Sequence, residues 1–181
     1  MSGECRGEPP VGAPLVGWGQ GVDLVDLASF ADQLGAPGSV FPRVFTDREW
    51  ARCASRDAVP GGAGGSSAAR ARPGTRAVES LGARWAAKEA VVKAWSQALD
   101  GEPPPIPRDE LDFSQIEVVV DRWGRPSLRF HGGVARALDS LARSRGARAS
   151  WGVSLSHDGP WAIAQATVLL LADPGPRAPR P

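Results

Sequence analysis

A chain of 181 residues, 42% of them hydrophobic, is long enough to bury one sizeable core. Its 21 Lys and Arg against 20 Asp and Glu leave a formal net charge of +1, so no global field steers it toward nucleic acid or an anionic membrane, and any anion site must be local. Two cysteines, Cys5 and Cys53, form neither a C-x-x-C pair nor a Cys/His cluster, which argues against a disulfide framework or zinc site and suits a reducing cytoplasm.

Residues 1–14 and 172–181 are rich in Pro, Gly and Arg and read as disordered tails around a folded region, 15–171. Glu4, Arg6 and Glu8 interrupt the start of the chain, so no secretory signal is expected. The apolar run Ala162–Leu171 is broken by Gln165 and Thr167 and is too short to span a membrane. The first expected element is a strand over Leu15–Leu27, where β-compatible Val16, Trp18, Val22, Leu24 and Val25 surround Asp23 and Asp26. Thr46-x-x-Glu49 is a capping box that opens a helix through about Arg56. Paired glycines and two prolines in Asp57–Thr75 then predict a mobile surface loop.

From Ala83 to Leu99 there is neither Gly nor Pro, and Ala87, Ala90, Val91, Ala94 and Ala98 recur at helical spacing. This predicts a long helix with an alanine-rich stripe. Ile116–Val120 and Ser127–Phe130 read as strands joined by a turn at Asp121–Pro126, and Val134–Arg145 as an amphipathic helix ended by Gly146. Ser150–Ser156 and Trp161–Leu171 close the chain as a hairpin. Most strand pairs are adjacent in sequence, which predicts an α+β fold with a largely antiparallel sheet packed against the long helix.

The long helix also carries the charges most able to do chemistry. Arg84 and Lys88, and Glu89 and Lys93, are each four residues apart on neighbouring faces, so three cations surround one carboxylate. On spacing alone, a solvated face on which Glu89 and Lys93 pair is the simpler reading. Asp23, set between Val22 and Leu24, either faces solvent on a half-exposed strand or needs a buried partner. Together with Glu89 it would supply two oxygen ligands to a magnesium ion completed by waters and phosphate oxygens. The chain lacks the G-x-x-x-x-G-K-[ST] loop of a nucleotide-binding enzyme of that class.

Five ordered segments resemble one family. Gly21-Val22-Asp23-Leu24-Val25-Asp26 is similar to the opening G-[IV]-D-[ILV]-x-[ED] of the holo-acyl-carrier-protein synthases. Phe41–Glu49, Arg84–Trp95, the Gly124-Arg125-Pro126 turn and Val153-Ser154-Leu155-Ser156-His157 resemble the family's later motifs in the same order. The resemblance implies a 4′-phosphopantetheinyl transferase fold and transfer of phosphopantetheine from coenzyme A to a serine of an acyl carrier protein. It implies Asp23 and Glu89 as magnesium ligands, and Glu89 and Lys93 as catalytic groups, with either Glu89 or a metal-bound water as the base. Arg84, Lys88, Gly124, Arg125, Pro126 and His157 are implied to bind the coenzyme, and a cytoplasmic homotrimer is implied as the assembly. Ser29 and Ser39 stand where the family carries docking arginines, and Asp158 where Thr is common, so a non-catalytic homologue that binds coenzyme A or carrier protein is the competing expectation.

Overall fold

Alternation along two long strands decides how the chain packs. In β1 (Leu15–Asp26), Gly19, Gly21 and Val25 face inward while Trp18, Val22 and Leu24 face out. In β5 (Trp161–Ala172), Ala162, Ala164, Ala166, Val168 and Leu170 face inward. Pleating sends successive side chains to opposite faces, so the middle of the inward face of these two strands is built of Gly19, Gly21, Ala162, Ala164 and Ala166. The computed structural model describes residues 13–57 and 75–173; residues 1–12 and 174–181 of the expected tails and 58–74 of the expected loop lie outside the described residues.

The order of the remaining elements is α1 (Leu27–Gly35), α2 (Asp47–Ala54), α3 (Thr75–Ala98), β2 (Ile116–Val120), β3 (Pro126–Phe130), α4 (Gly132–Ser144) and β4 (Ala147–Asp158), with β5 last. Three strands form an antiparallel sheet in the order β1-β5-β4, and β2 pairs with β3 in a second antiparallel sheet. The α+β architecture expected from the pattern is the one observed.

The long helix α3 lies on the small-residue face. A Cβ built on Gly19 would sit 2.0 Å from the carbonyl oxygen of Ala94, and one on Gly21 would sit 2.1 Å from that of Ala90. Strand and helix backbones therefore touch, with Ala90 and Ala94 fully buried between them. A second close approach sits earlier in the helix, where a Cβ on Gly82 would meet Leu27 Cδ2 at 2.5 Å. The expected helix start at Ala83 is corrected to Thr75 for this reason: Gly82 is inside the helix, and its missing side chain makes room for α1.

Helix α1 replaces the last residue of the expected strand. Asp26 ends β1 and caps α1, its carboxylate accepting the Ser29 N–H at 2.8 Å. The capping box of α2 forms as expected, with Glu49 N–H donating to Thr46 Oγ1 and Thr46 N–H to Glu49 Oε2. The ends of the expected loop and tail are ordered: Asp57 accepts the Ala77 N–H, Thr75 begins α3, and the Asp173 N–H donates to Gly146. On the outer face of the main sheet Trp18, Val22, Leu24, Trp161 and Ile163 stay exposed, Leu24 at 58%.

If the backbone contact at β1 sets the fold, Gly21→Ala should destabilise the protein by at least about 2 kcal/mol, because neither backbone can retreat without moving a whole element. Gly35→Ala, with nothing within 4 Å of the added atom, should change stability by less than about 0.5 kcal/mol. Urea unfolding of the two variants measures both.

Candidate active site

The Gly21 contact brings the next inward residue of β1 against the neighbouring turn of α3. Asp23 lies beside Lys93, whose ammonium donates to Asp23 Oδ1 at 2.7 Å and to the Val22 carbonyl at 3.0 Å. Asp23, Glu89 and Lys93 line one cavity of about 640 Å³ with Asp26, Trp85 and Arg108. Lys93 thus pairs with Asp23 across the strand and helix. The surface pair between Glu89 and Lys93 is not among the ion pairs of the described residues.

Glu89 is held in a different way. Its nearest cation is Arg108, with Nη2 4.0 Å from Oε1, and the Arg108 side chain is 81% exposed. Burial pushes the Glu89 carboxyl above the ordinary glutamate value, an effect opposed by Arg108 and Lys93 and reinforced by Asp23. Two carboxylates on one cavity wall form a hard-oxygen donor set that fits a magnesium ion retaining waters and phosphate ligands. Among the described residues no group of three or more His, Cys, Asp or Glu is placed to hold a metal, so such an ion would depend on those extra ligands. Arg108 carried no motif and is the cavity residue that the sequence reading missed.

The other expected site residues gather elsewhere. Arg84, Gly124, Pro126 and His157 line a second cavity of about 240 Å³, which shares no lining residue with the first. Gly124 adopts φ +82° at the β2–β3 turn, a conformation that favours glycine. Arg84 is buried; its Nη1 donates to the carbonyl and hydroxyl of Ser80, while its Nε has no hydrogen-bond partner among the described residues. His157 Nδ1 stands 3.8 Å from Glu79 Oε2. Arg125 turns back on Asp121, with Nε 2.6 Å from Oδ2, and stacks on Trp123.

Lys88 requires a correction. Expected beside the coenzyme's phosphates, it is instead fully buried, with its ammonium 3.0 Å from Glu49 Oε2 and also donating to the carbonyls of Phe113 and Ile116. All three N–H donors are used inside the core. Glu49 in turn accepts the Val118 N–H at 3.0 Å, so the ion pair ties α2, α3 and β2 together. Burial lowers the proton affinity of Lys88, and Glu49 is the chief group opposing that shift. Trp85 packs edge-on against Phe41 at 4.8 Å and tilted against Phe113 at 4.9 Å, and also walls the first cavity.

A helix laid on an antiparallel sheet, with two carboxylates and a lysine at their seam, defines an α+β protein with one charged cavity between the two. Residues 19–164 match the model of the 4′-phosphopantetheinyl transferase superfamily. The holo-[acyl-carrier-protein] synthase of Corynebacterium efficiens is 43% identical over 144 residues, covering 80% of this chain and 88% of the relative. That of Mycolicibacterium smegmatis is 40% identical over 150 residues, covering 83% and 95%. A solved ACPS-CoA complex from Chronobacterium ammoniagenes superposes with a TM-score of 0.67 at 39% identity, covering 84% of this chain and 97% of that one. The Mycobacterium tuberculosis acyl carrier protein synthase superposes at 0.54 with 34% identity, covering 83% and 95%. The chain belongs to the holo-acyl-carrier-protein synthase family of the 4′-phosphopantetheinyl transferase superfamily.

The buried pair makes a prediction of its own. Lys88→Met should cost about 3–5 kcal/mol, because it leaves the Glu49 carboxylate uncompensated in the core. Glu49→Gln combined with Lys88→Met should recover much of that loss. Chemical unfolding of the single and double variants measures the difference, and a Lys88→Met protein as stable as wild type would remove the pair from the core's energetics.

Proposed function

We propose that this chain transfers 4′-phosphopantetheine from coenzyme A to a serine of an apo acyl carrier protein, releasing 3′,5′-adenosine bisphosphate. Family membership supports the activity, and the observation that carries the mechanism is the convergence of Asp23, Glu89 and Lys93 on one cavity. The serine oxygen forms a bond to the phosphorus that bears pantetheine, and the pyrophosphate oxygen bridging to the adenosine side departs. Glu89 is the chain's own group positioned to accept the serine proton, and burial suits it by raising its proton affinity. Lys93 uses two N–H bonds on Asp23 and Val22, leaving the third to meet charge that accumulates on the departing bisphosphate.

Asp23 and Glu89 would hold magnesium. When bound, that ion would neutralise the pyrophosphate oxygens and draw electron density from the reacting phosphorus. Arg84, Gly124, Pro126 and His157 are assigned to the coenzyme's adenosine side, with guanidinium and imidazole donors suited to phosphate oxygens.

We further assign the chain to a homotrimer. The separation of the two cavities supports a site assembled from neighbouring subunits, and the exposed apolar outer face of the main sheet supplies surface that an assembly would cover. Mixing Glu89→Ala protein with His157→Ala protein, each inactive alone, should then restore part of the wild-type rate through hybrid sites.

Incubation with coenzyme A, magnesium and apo carrier protein, read by intact mass, tests the activity. The carrier should gain the mass of one phosphopantetheine. Asp23→Ala and Glu89→Ala should each abolish that gain in folded protein, and Lys93→Ala should lower kcat by about 10²-fold with a smaller change in KM. Coenzyme binding by wild type without any mass gain would favour a non-catalytic homologue.

The reaction's pH dependence follows from Glu89. Its carboxylate form is the active one and its pKa is raised, so kcat/KM should rise with pH through a midpoint above the ordinary glutamate value of 4.5. Arg108→Ala removes a cation that favours the carboxylate and should move that midpoint further up. An acid limb that shifts down in Arg108→Ala would contradict the assignment.

A further inference from the structure

Glu79 lies near the start of α3, one turn before Ala83 and next to Ser80, two residues that wall the His157 cavity together with Arg84. Glu79 itself does not line that cavity. Its Oε2 stands 3.8 Å from His157 Nδ1, and the two side chains are 29% and 37% exposed. Among the described residues, the ion pairs within 4.0 Å give Glu79 no partner other than His157. Its carboxylate therefore bears on the cavity through the imidazole.

The backbone of His157 is fixed by the sheet, but its ring is not. His157 pairs with Ala162 near the end of the β4–β5 hairpin, beside the turn where Gly159 takes φ +52°. Strand pairing sets where the side chain starts and leaves its torsions to the neighbours. A carboxylate facing Nδ1 favours a proton on that nitrogen and one orientation of the ring, which leaves Nε2 for a ligand. A charged ring then faces Glu79 with Nδ1–H and donates Nε2–H to an anion, and a phosphate oxygen suits that donor. A carboxylate can also steady a helix through its dipole, but that effect fades beyond the first turn. Glu79 is the fifth residue of α3.

We propose that Glu79 is a positioning residue, which orients His157 so that Nε2–H meets a phosphate oxygen of coenzyme A. This rests on the assignment of His157 to the coenzyme and adds the group that makes the imidazole a directed donor.

Calorimetric titration of the full chain with coenzyme A tests the role by a double-mutant cycle that needs no turnover. Glu79→Ala should weaken binding about 5-fold or more, and the same change made in His157→Ala protein should shift affinity by less than about twofold. Glu79→Gln, which keeps the size and an acceptor oxygen but not the charge, should fall between wild type and Glu79→Ala. The chain has only two histidines, His131 and His157, so imidazole nitrogen resonances are assignable against a His131→Gln reference. The neutral His157 ring should carry its proton on Nδ1 in wild type and shift it toward Nε2 in Glu79→Ala, a change that steadying a helix does not produce. A Glu79→Ala loss that is equally large without His157, or a tautomer that Glu79→Ala leaves unmoved, would overturn the proposal. Wild-type coenzyme affinity in His157→Ala would overturn it together with the coenzyme assignment, whereas weakened binding in His157→Ala beside unchanged binding in Glu79→Ala would overturn the positioning role alone. Coenzyme binding that follows the cycle in a protein that transfers nothing would count against the transferase reading and leave this one supported.

Discussion

The contact of α3 with β1, backbone against backbone, is the constraint on which the rest of the molecule depends. Gly19 and Gly21 leave no side chains between the strand and the carbonyls of Ala94 and Ala90, and the alanines of β5 continue the same shallow bed. Larger residues at these positions would hold the helix several ångströms off the sheet, since close-packed interiors do not absorb extra volume cheaply. At that distance Lys93 would not reach both Asp23 and the Val22 carbonyl. The glycines are structural, and their consequence is chemical.

Charge is divided along α3 by depth. Lys88 is sunk into the core with Glu49 and two carbonyls, where it holds α2 and β2 against the helix. One residue later, Glu89 lies at the cavity wall, desolvated enough to raise its proton affinity yet open to Arg108. One turn further on, Lys93 is half exposed and clamps Asp23. A single helix thus carries a buried structural cation, a partly desolvated carboxylate and an accessible cation within six positions, and the differences among them come from what each residue faces.

Much of this was legible in the sequence because it is written locally. Gly21-Val22-Asp23 and Ala87-Lys88-Glu89 are short motifs, the capping box at Thr46 and Glu49 is a local pattern, and the extended course of β1 reads from its β-compatible residues, although its apolar Trp18, Val22 and Leu24 face outward. The fate of Lys88 was not legible. Helical spacing places it near Arg84 but does not reveal that Glu49, 39 positions earlier in the chain, folds over it. Arg108 lacked any signal, since only the tertiary path of the segment after α3 brings it to Glu89. Two boundaries differ for separate reasons: Asp26 and Ser29 have the local spacing of a helix cap, whereas Gly82 stays inside the helix because Leu27, distant in sequence, packs against it.

We propose that this seam gathers Asp23 and Glu89 into one metal-binding pair. A crystal structure of the full chain with coenzyme A and magnesium tests it most directly. The account predicts one cation with an oxygen of Asp23 and an oxygen of Glu89 each at about 2.1 Å, its remaining positions filled by waters and phosphate oxygens. A magnesium ion bound to the coenzyme away from both carboxylates would contradict it.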